Sequence, residues 1–425
     1  MNNSKSGISI EPITGGIGYV AIGFNSGTNN STTSTITQEI HGNISPYFEY
    51  AVITGNNNTP TDTDFQYWDP HEAITIHYNN STTTRERFYL RGRNLNGIST
   101  SSSNYVRISI TVSNSKYMFM SGNIMHLIDA TQNRTTIPCN YCFYKMFSSN
   151  TKLQSILNLT FPATGLTTCC YSNMFNGDTQ LYNQPSAGLP ATTMKSYCYD
   201  HMFYGCTKVT TPCSLPGTTL AESCYAYMFS HTGVTSLPTL SATTLANNCY
   251  NSMFSACNGL TSMPTNYLPS TNLATGCYSD MFFNCSNLTN CCNLPATSLK
   301  DQCYLDMFAY TAITSAPTLA ATTMKSECYR GMFSGCTGLT TSPALPGTTL
   351  ASNCYREMFK SCSNLSYITY LHPSIAPNAT YCDDWVSGVP TGSGHIFEVA
   401  TGKTWTNSFG VDGIPTGWTV VERMP

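Results

Sequence analysis

Leu245-Ala246-Asn247-Asn248-Cys249-Tyr250-Asn251-Ser252-Met253-Phe254-Ser255-Ala256-Cys257 is one copy of a block that recurs along this chain. Its centre, Cys-Tyr-x-x-Met-Phe, begins at Cys170, Cys198, Cys224, Cys249, Cys277, Cys303, Cys328 and Cys354. Cys142 opens a variant with Phe143 in the Tyr place. Cys382 keeps the spacing, but there the motif has decayed to Cys382-Asp383-Asp384-Trp385. These ten cysteines lie 25 to 28 residues apart. A second column follows each motif Cys by five places: Phe147, Phe175, Phe203, Phe229, Phe254, Phe282, Phe308, Phe333 and Phe359. Self-similarity at this period predicts units too small to bury their own apolar faces, which stack to complete a core and leave an extended surface. That points to binding or structure before catalysis.

Within one unit, Ala246, Cys249, Met253, Phe254 and Cys257 fall at offsets 0, 3, 7, 8 and 11. The spacing predicts one face of a short helix, with a strand and turn in the following Leu-x-x-x-Pro stretch. Five more cysteines, Cys206, Cys257, Cys285, Cys336 and Cys362, each lie eight residues after their motif Cys. Buried Cys behaves as a small hydrophobe, so both sets read as reduced core ladders. Disulfides and metal binding are the alternatives. Cys139-Asn140-Tyr141-Cys142 is a lone C-x-x-C without a second pair at zinc spacing, and it carries little metal signal.

Composition sets limits. Charged residues are only 10% of the chain's 425, against roughly 25% in ordinary soluble proteins. Ser, Thr, Asn and 27 Tyr take their place, and the net charge of −3 gives no reason to expect nucleic acid as partner. No run of 18 apolar residues predicts membrane insertion. Met1-Asn2-Asn3-Ser4-Lys5-Ser6-Gly7 leads straight into a strand-like run without a signal-like segment, so the chain is expected to be made in the cytoplasm and not exported by the general route.

Four regions are expected. Residues 1–40 read as an N-terminal β segment, including Ile8-Ser9-Ile10, and as a point of attachment. Residues 41–115 carry period-2 runs such as Ala73 to Tyr78 and Tyr105 to Ile110, and read as an immunoglobulin-like β-sandwich. Residues 116–382 are the array, with an N-cap at 116–130. Residues 383–425 read as a C-terminal cap.

The array resembles the BspA-type leucine-rich repeat. Cys249, Met253, Phe254, Cys257, Leu260 and Met263 match that pattern, and Leu-Pro recurs at Leu215-Pro216, Leu294-Pro295 and Leu345-Pro346. The units are longer than is usual in that family, and Cys-Tyr replaces Ile-Gly. The motif variant and the Gly413-Ile414-Pro415-Thr416-Gly417-Trp418 ending look like proteins of gut Bacteroidetes and of their crAss-like phages. The resemblance implies an α+β or mostly β chain: N-terminal β-sandwich modules, a leucine-rich-repeat solenoid and a small C-terminal cap. It implies a phage fibre or capsid-decorating subunit on the virion, held by other virion proteins through the N-terminal modules, forming a homo-oligomer and facing a host glycan or protein. A bacterial cell-surface adhesin is the alternative.

No nucleophile elbow, phosphate loop or metal-spaced His pair is visible, so no catalytic, cofactor-binding or metal residue is assigned and no enzyme is expected. The two places after each Cys-Tyr vary freely and read as an exposed binding face, with Asp200, His201, Asp280, Asp306, Arg330 and Arg356 as its candidates. His201 and His231 are isolated. Asp280 and Asp306 occupy equivalent places in adjacent units, a spacing that a retaining glycosidase uses, which leaves a depolymerase as the remote alternative. The Tyr column from Tyr171 to Tyr355 reads as packing between units or as a sugar-stacking stripe.

Overall fold

The computed structural model describes residues 18–24, 32–55, 59–78, 86–112 and 117–423, so the strand expected at Ile8–Ile10 lies outside the described residues. Thirteen strands follow in chain order: β1 (Val20–Phe24), β2 (Thr32–His41), β3 (Phe48–Thr54), β4 (Gln66–Tyr67), β5 (Ile74–Tyr78), β6 (Glu86–Gly92), β7 (Tyr105–Val112), β8 (Met118–Asn123), β9 (Leu153–Thr160), β10 (Thr341–Leu345), β11 (Tyr367–Tyr370), β12 (Ile396–Val399) and β13 (Thr419–Glu422).

The N-terminal quarter of the chain is a pair of sheets. One has the order β4-β3-β6-β1-β8-β9 and the other β5-β2-β7. Alternation decides which side each strand buries: Ile36, Val106, Ile108 and Ile110 point into a core shared with Val20, Ile22, Trp68 and Phe88. The boundary expected at residue 40 is absent. β1 pairs with β6 and β8, and β2 pairs with β5 and β7, so both strands are integral to the sandwich.

Both sheets run directly into the array. β8 pairs in parallel with β9, which belongs to the first repeat. On the other sheet the Ile108 N–H donates to Met146 O at 2.7 Å. Asn150 clamps the same seam: its Nδ2 donates to Ile108 O at 3.0 Å and to Phe147 O at 2.7 Å, while its Oδ1 accepts from Ile110 N at 2.8 Å.

The expected α+β, leucine-rich-repeat architecture with one helix per unit is overturned. The chain is nearly all sheet and turn, and its one α-helix among the described residues is the four-residue Ala379–Cys382. In the Leu245–Cys257 block, every second N–H bonds to the next repeat: Asn248 to Thr275 O at 2.9 Å, Tyr250 to Cys277 O at 3.1 Å, Ser252 to Ser279 O at 2.9 Å and Phe254 to Met281 O at 3.0 Å. The N–H groups between them close turns three residues back, as Met253 does to Tyr250 O at 3.2 Å and Cys257 to Phe254 O at 3.2 Å. Asn248, Ser252 and Ala256 have φ of 53°, 51° and 56°. A left-handed residue at every fourth place cannot belong to an α-helix, but it suits a chain of tight turns. The same three places are left-handed in all nine repeats.

Of the side chains predicted to face inward, Ala246 is only half-buried. Cys249, Met253, Phe254 and Cys257 are fully buried, as are their counterparts along the array. The motif Tyr rings from Tyr171 to Tyr355 stack in one column with centroids 5.7 to 6.2 Å apart. The Phe rings from Phe147 to Phe359 form a second, at 5.8 to 6.2 Å. Both columns lie within the range of favourable offset stacking. All twenty cysteines are free thiols.

At the C-terminal end the register shifts by one residue. The Tyr355 N–H donates to Tyr381 O, whereas the Tyr329 N–H donates to Cys354 O. Tyr381 therefore holds the ladder's Cys place and the buried Cys382 its Tyr place. Trp385 closes the Phe column, 5.9 Å from Phe359. Residues 383–423 continue the stack: β10, β11, β12 and β13 form one parallel sheet, and Trp385 Nε1 donates to Gly413 O in the following segment.

Candidate functional site

The turn block places its second and third residues after each Cys on an outer ridge. The third is always left-handed: Lys145, Asn173, His201, Tyr227, Ser252, Asp280, Asp306, Gly331 and Glu357. These columns were expected to be exposed. Most are half-buried, and Ser172, Ala226, Ser252, Ser279 and Gly331 are buried, because neighbouring repeats lean on one another. The ridge divides along its length into four stretches of different chemistry.

The first is a cleft of about 350 Å3 at the seam between sandwich and array. Strand β2 supplies Glu39 and His41, β7 supplies Tyr105 and Arg107, and the first two repeats supply Lys145, Ser148, Ser149, Asn173 and Asn176. Arg107 is paired with Glu39 at 2.8 Å. His41 stacks on Tyr105 with centroids 4.2 Å apart. The Lys145 ammonium lies 5.4 Å from the Tyr105 ring and 5.3 Å from Tyr144. Both rings are within cation–π reach of it. Asn176 Nδ2 donates to Asn173 Oδ1 at 2.7 Å, and Asn173 Nδ2 to Ser172 Oγ at 2.9 Å, which fixes both amides.

The second stretch is aromatic. His201 stacks on Tyr227 at 4.5 Å, and its Nδ1 lies 2.7 Å from Asp200 Oδ1. Tyr204 packs against His231 at 5.1 Å. The two histidines expected to be isolated thus share one cluster of rings. The third stretch is acidic. Ser279 Oγ donates to Asp280 Oδ2 at 2.6 Å. Burial raises the Asp280 carboxyl, and burial together with the Asp280 charge pushes Asp306 up to about 7. Phe283 and the exposed Tyr310 flank this stretch, edge to face at 5.5 Å.

The fourth stretch is an ion-pair lattice. Arg330 reaches Glu327 at 3.3 Å and Glu357 at 3.5 Å, Arg356 reaches Asp383 at 3.3 Å, and Lys360 reaches Asp384 at 2.8 Å. Arg330 and Arg356 are therefore engaged with neighbouring repeats. The sequence candidates Asp200, His201, Asp280 and Asp306 lie along one ridge but in two separate stretches.

Sequence reasoning missed His41 and Tyr105 in the cleft, because they meet the first repeats only across the seam. It also missed Tyr204 and Tyr310, which lie one turn further along the block. The motif Tyr column is not a sugar-stacking stripe: Tyr171 to Tyr355 are buried. Among the described residues no group of three His, Cys, Asp or Glu is placed to hold a metal ion, and no helix is long and apolar enough to cross a membrane. No family model, curated protein or solved structure matches this chain.

Proposed function

We propose that the protein is a binding and structural component of a phage particle, and that its ridge holds a saccharide of the host surface. The observation that carries this reading is the seam cleft. It combines stacked aromatic rings, ordered amides, hydroxyls and a cation in a space that accommodates one or two sugar rings. Aromatic faces cover the apolar side of a sugar, and amides pair with its hydroxyls. The rest of the ridge repeats this chemistry sparsely at His201, Tyr227, Tyr204 and Tyr310. The phage setting is supported by the likeness of the repeats and by a polar surface with few charges. Attachment suits the sandwich end, where β4 and β5 are open sheet edges that another strand can extend.

Two measurements test this. A glycan panel probed with the purified protein should give saccharide hits that weaken at least tenfold in Tyr105→Ala. Antibody labelling should mark purified phage particles. Label only on host-cell membranes would replace the phage setting with a surface adhesin, and a panel without hits would remove the saccharide.

A second reading has one specific support. A carboxyl held near 7 beside another carboxyl suits general acid catalysis of glycosidic cleavage. Asp280→Asn/Asp306→Asn should then abolish release of reducing ends from a bound polysaccharide. Release that continues in this variant, or is absent from the native protein, removes the depolymerase.

A further inference from the structure

Cys139 is not explained by the ladders. It lies three residues before the motif Cys142, and the same place in other repeats holds Thr167, Lys195, Ala221, Ala246 or Lys300. A packing role common to the repeats would keep one residue type there. Cys139 is also one of only two half-buried cysteines in a chain whose other thiols are buried.

Its surroundings are specific. Tyr141 has φ of 59°. The four residues Cys139 to Cys142 therefore fold back in a tight turn and bring their ends together. Gly97, in the loop after β6, fits against both sulfurs. A side chain there would start on top of Cys139 Sγ and 3.8 Å from Cys142 Sγ. Gly97 has φ of 109°. Its lack of a side chain thus serves both the backbone and the thiols. The same loop bonds to both cysteines. Cys139 Sγ donates to Ser99 O at 3.2 Å, and the Ser99 N–H donates to Cys142 O at 3.3 Å.

We propose that Cys139 and Cys142 form a thiol–disulfide modification site that closes when the protein meets a low-molecular-weight disulfide. The Cys139 thiolate attacks one sulfur of the oxidant, whose S–S bond breaks and whose other half leaves as a thiol after taking up a proton. Cys142 then gives up its proton and attacks the Cys139 sulfur. The intramolecular S–S bond forms and the second small thiol leaves. Two protein thiols are oxidised and one small disulfide is reduced to two thiols.

The two cysteines are unequal in the way this order needs. Hydrogen bonding from Cys142 lowers the Cys139 thiol below its ordinary value, whereas burial holds Cys142 well above. Cys139 is therefore the attacking and accessible group, and Cys142 the resolving one. Closure removes the Cys139 donor from Ser99 O. The oxidised form changes the seam on which the sandwich meets the first repeat.

The test uses the native full chain treated with oxidised glutathione. The product is weighed intact, then alkylated and peptide-mapped without reductant. The expected result is a species about 2 Da lighter with a Cys139–Cys142 link. Cys139→Ser should show no such loss, whereas Cys291→Ser, at the other half-buried thiol, should react as the native chain does. Cys142→Ala should stop at the mixed disulfide on Cys139. An unchanged native mass, a glutathione adduct that persists on native Cys139, or the same mass loss in Cys139→Ser would each overturn the assignment.

Discussion

At the scale of the residue, the controlling feature is the left-handed backbone at every fourth place. An L residue with a side chain costs about 1–2 kcal/mol there, and the array accepts that cost because the alternate N–H groups are then free to bond between repeats. Gly331 occupies such a place, with φ of 58°, and Asp306 Oδ1 lies where a side chain at residue 331 would begin. Gly331→Ala should therefore lower stability in urea by about 1–2 kcal/mol. An unchanged midpoint would mean that this turn is not held as described. Asp306 makes a second prediction. Burial and Asp280 raise it to about 7 in the folded chain, against about 3.9 for a free carboxyl. Between these values the unfolded chain releases a proton that the folded chain retains. Stability from this group is full below about pH 4, falls as pH rises to about 7, and is flat above. Asp306→Asn should remove that part of the slope. Thermal melts with identical slopes in the two proteins would contradict the buried carboxyl pair.

At the scale of the element, the inward residues were legible and the backbone was not. Cys249-Tyr250, Met253-Phe254 and Cys257 are buried at a spacing of four. Within one block, a period of four is hard to separate from the helical period of about 3.6. The hydrogen bonds that distinguish them go to the next repeat and leave no mark within one block. One signal was present. The left-handed places include Asn248, Gly276, Asn353, Gly177, Gly205 and Gly335, residue types that tolerate positive φ. Half of the candidate ridge was legible for the same reason, since Asp200, His201, Asp280 and Asp306 repeat with the motif. The cleft was not, because His41 and Tyr105 reach Lys145 only through the pairing of β7 with the first repeat. The common prediction of either backbone is a fully buried Phe column. Phe254→Ala should cost about 3–5 kcal/mol of unfolding free energy. A loss below about 1 kcal/mol would place this ring in solvent and refute the register.

At the scale of the whole molecule, one apolar core runs from Val20 and Trp68 in the sandwich to Phe397 and Trp418 near the end. Each repeat touches chiefly its neighbours, so stability is close to a sum of unit and interface contributions, and the ends are the weak points. The sandwich closes one end through β8–β9 and Asn150. The other end depends on Trp385. Its indole is buried, meets Phe359, Tyr370 and Phe397, and donates to Gly413 O at 2.8 Å. Trp385→Ala removes a ring from three contacts and leaves Gly413 O without its donor. The loss should be about 3–5 kcal/mol, but local. Opening should begin at the C-terminal strands β11 to β13 and spread backward only as far as the next well-stacked repeats. Amide hydrogen exchange should then show faster exchange from about residue 354 onward, with the amides of Tyr199, Tyr225 and Tyr250 as slow as in the native chain. If exchange instead accelerates equally from the sandwich to the last strand, the molecule unfolds as one cooperative unit, and coupling between neighbouring repeats is too strong for a sum of units to describe.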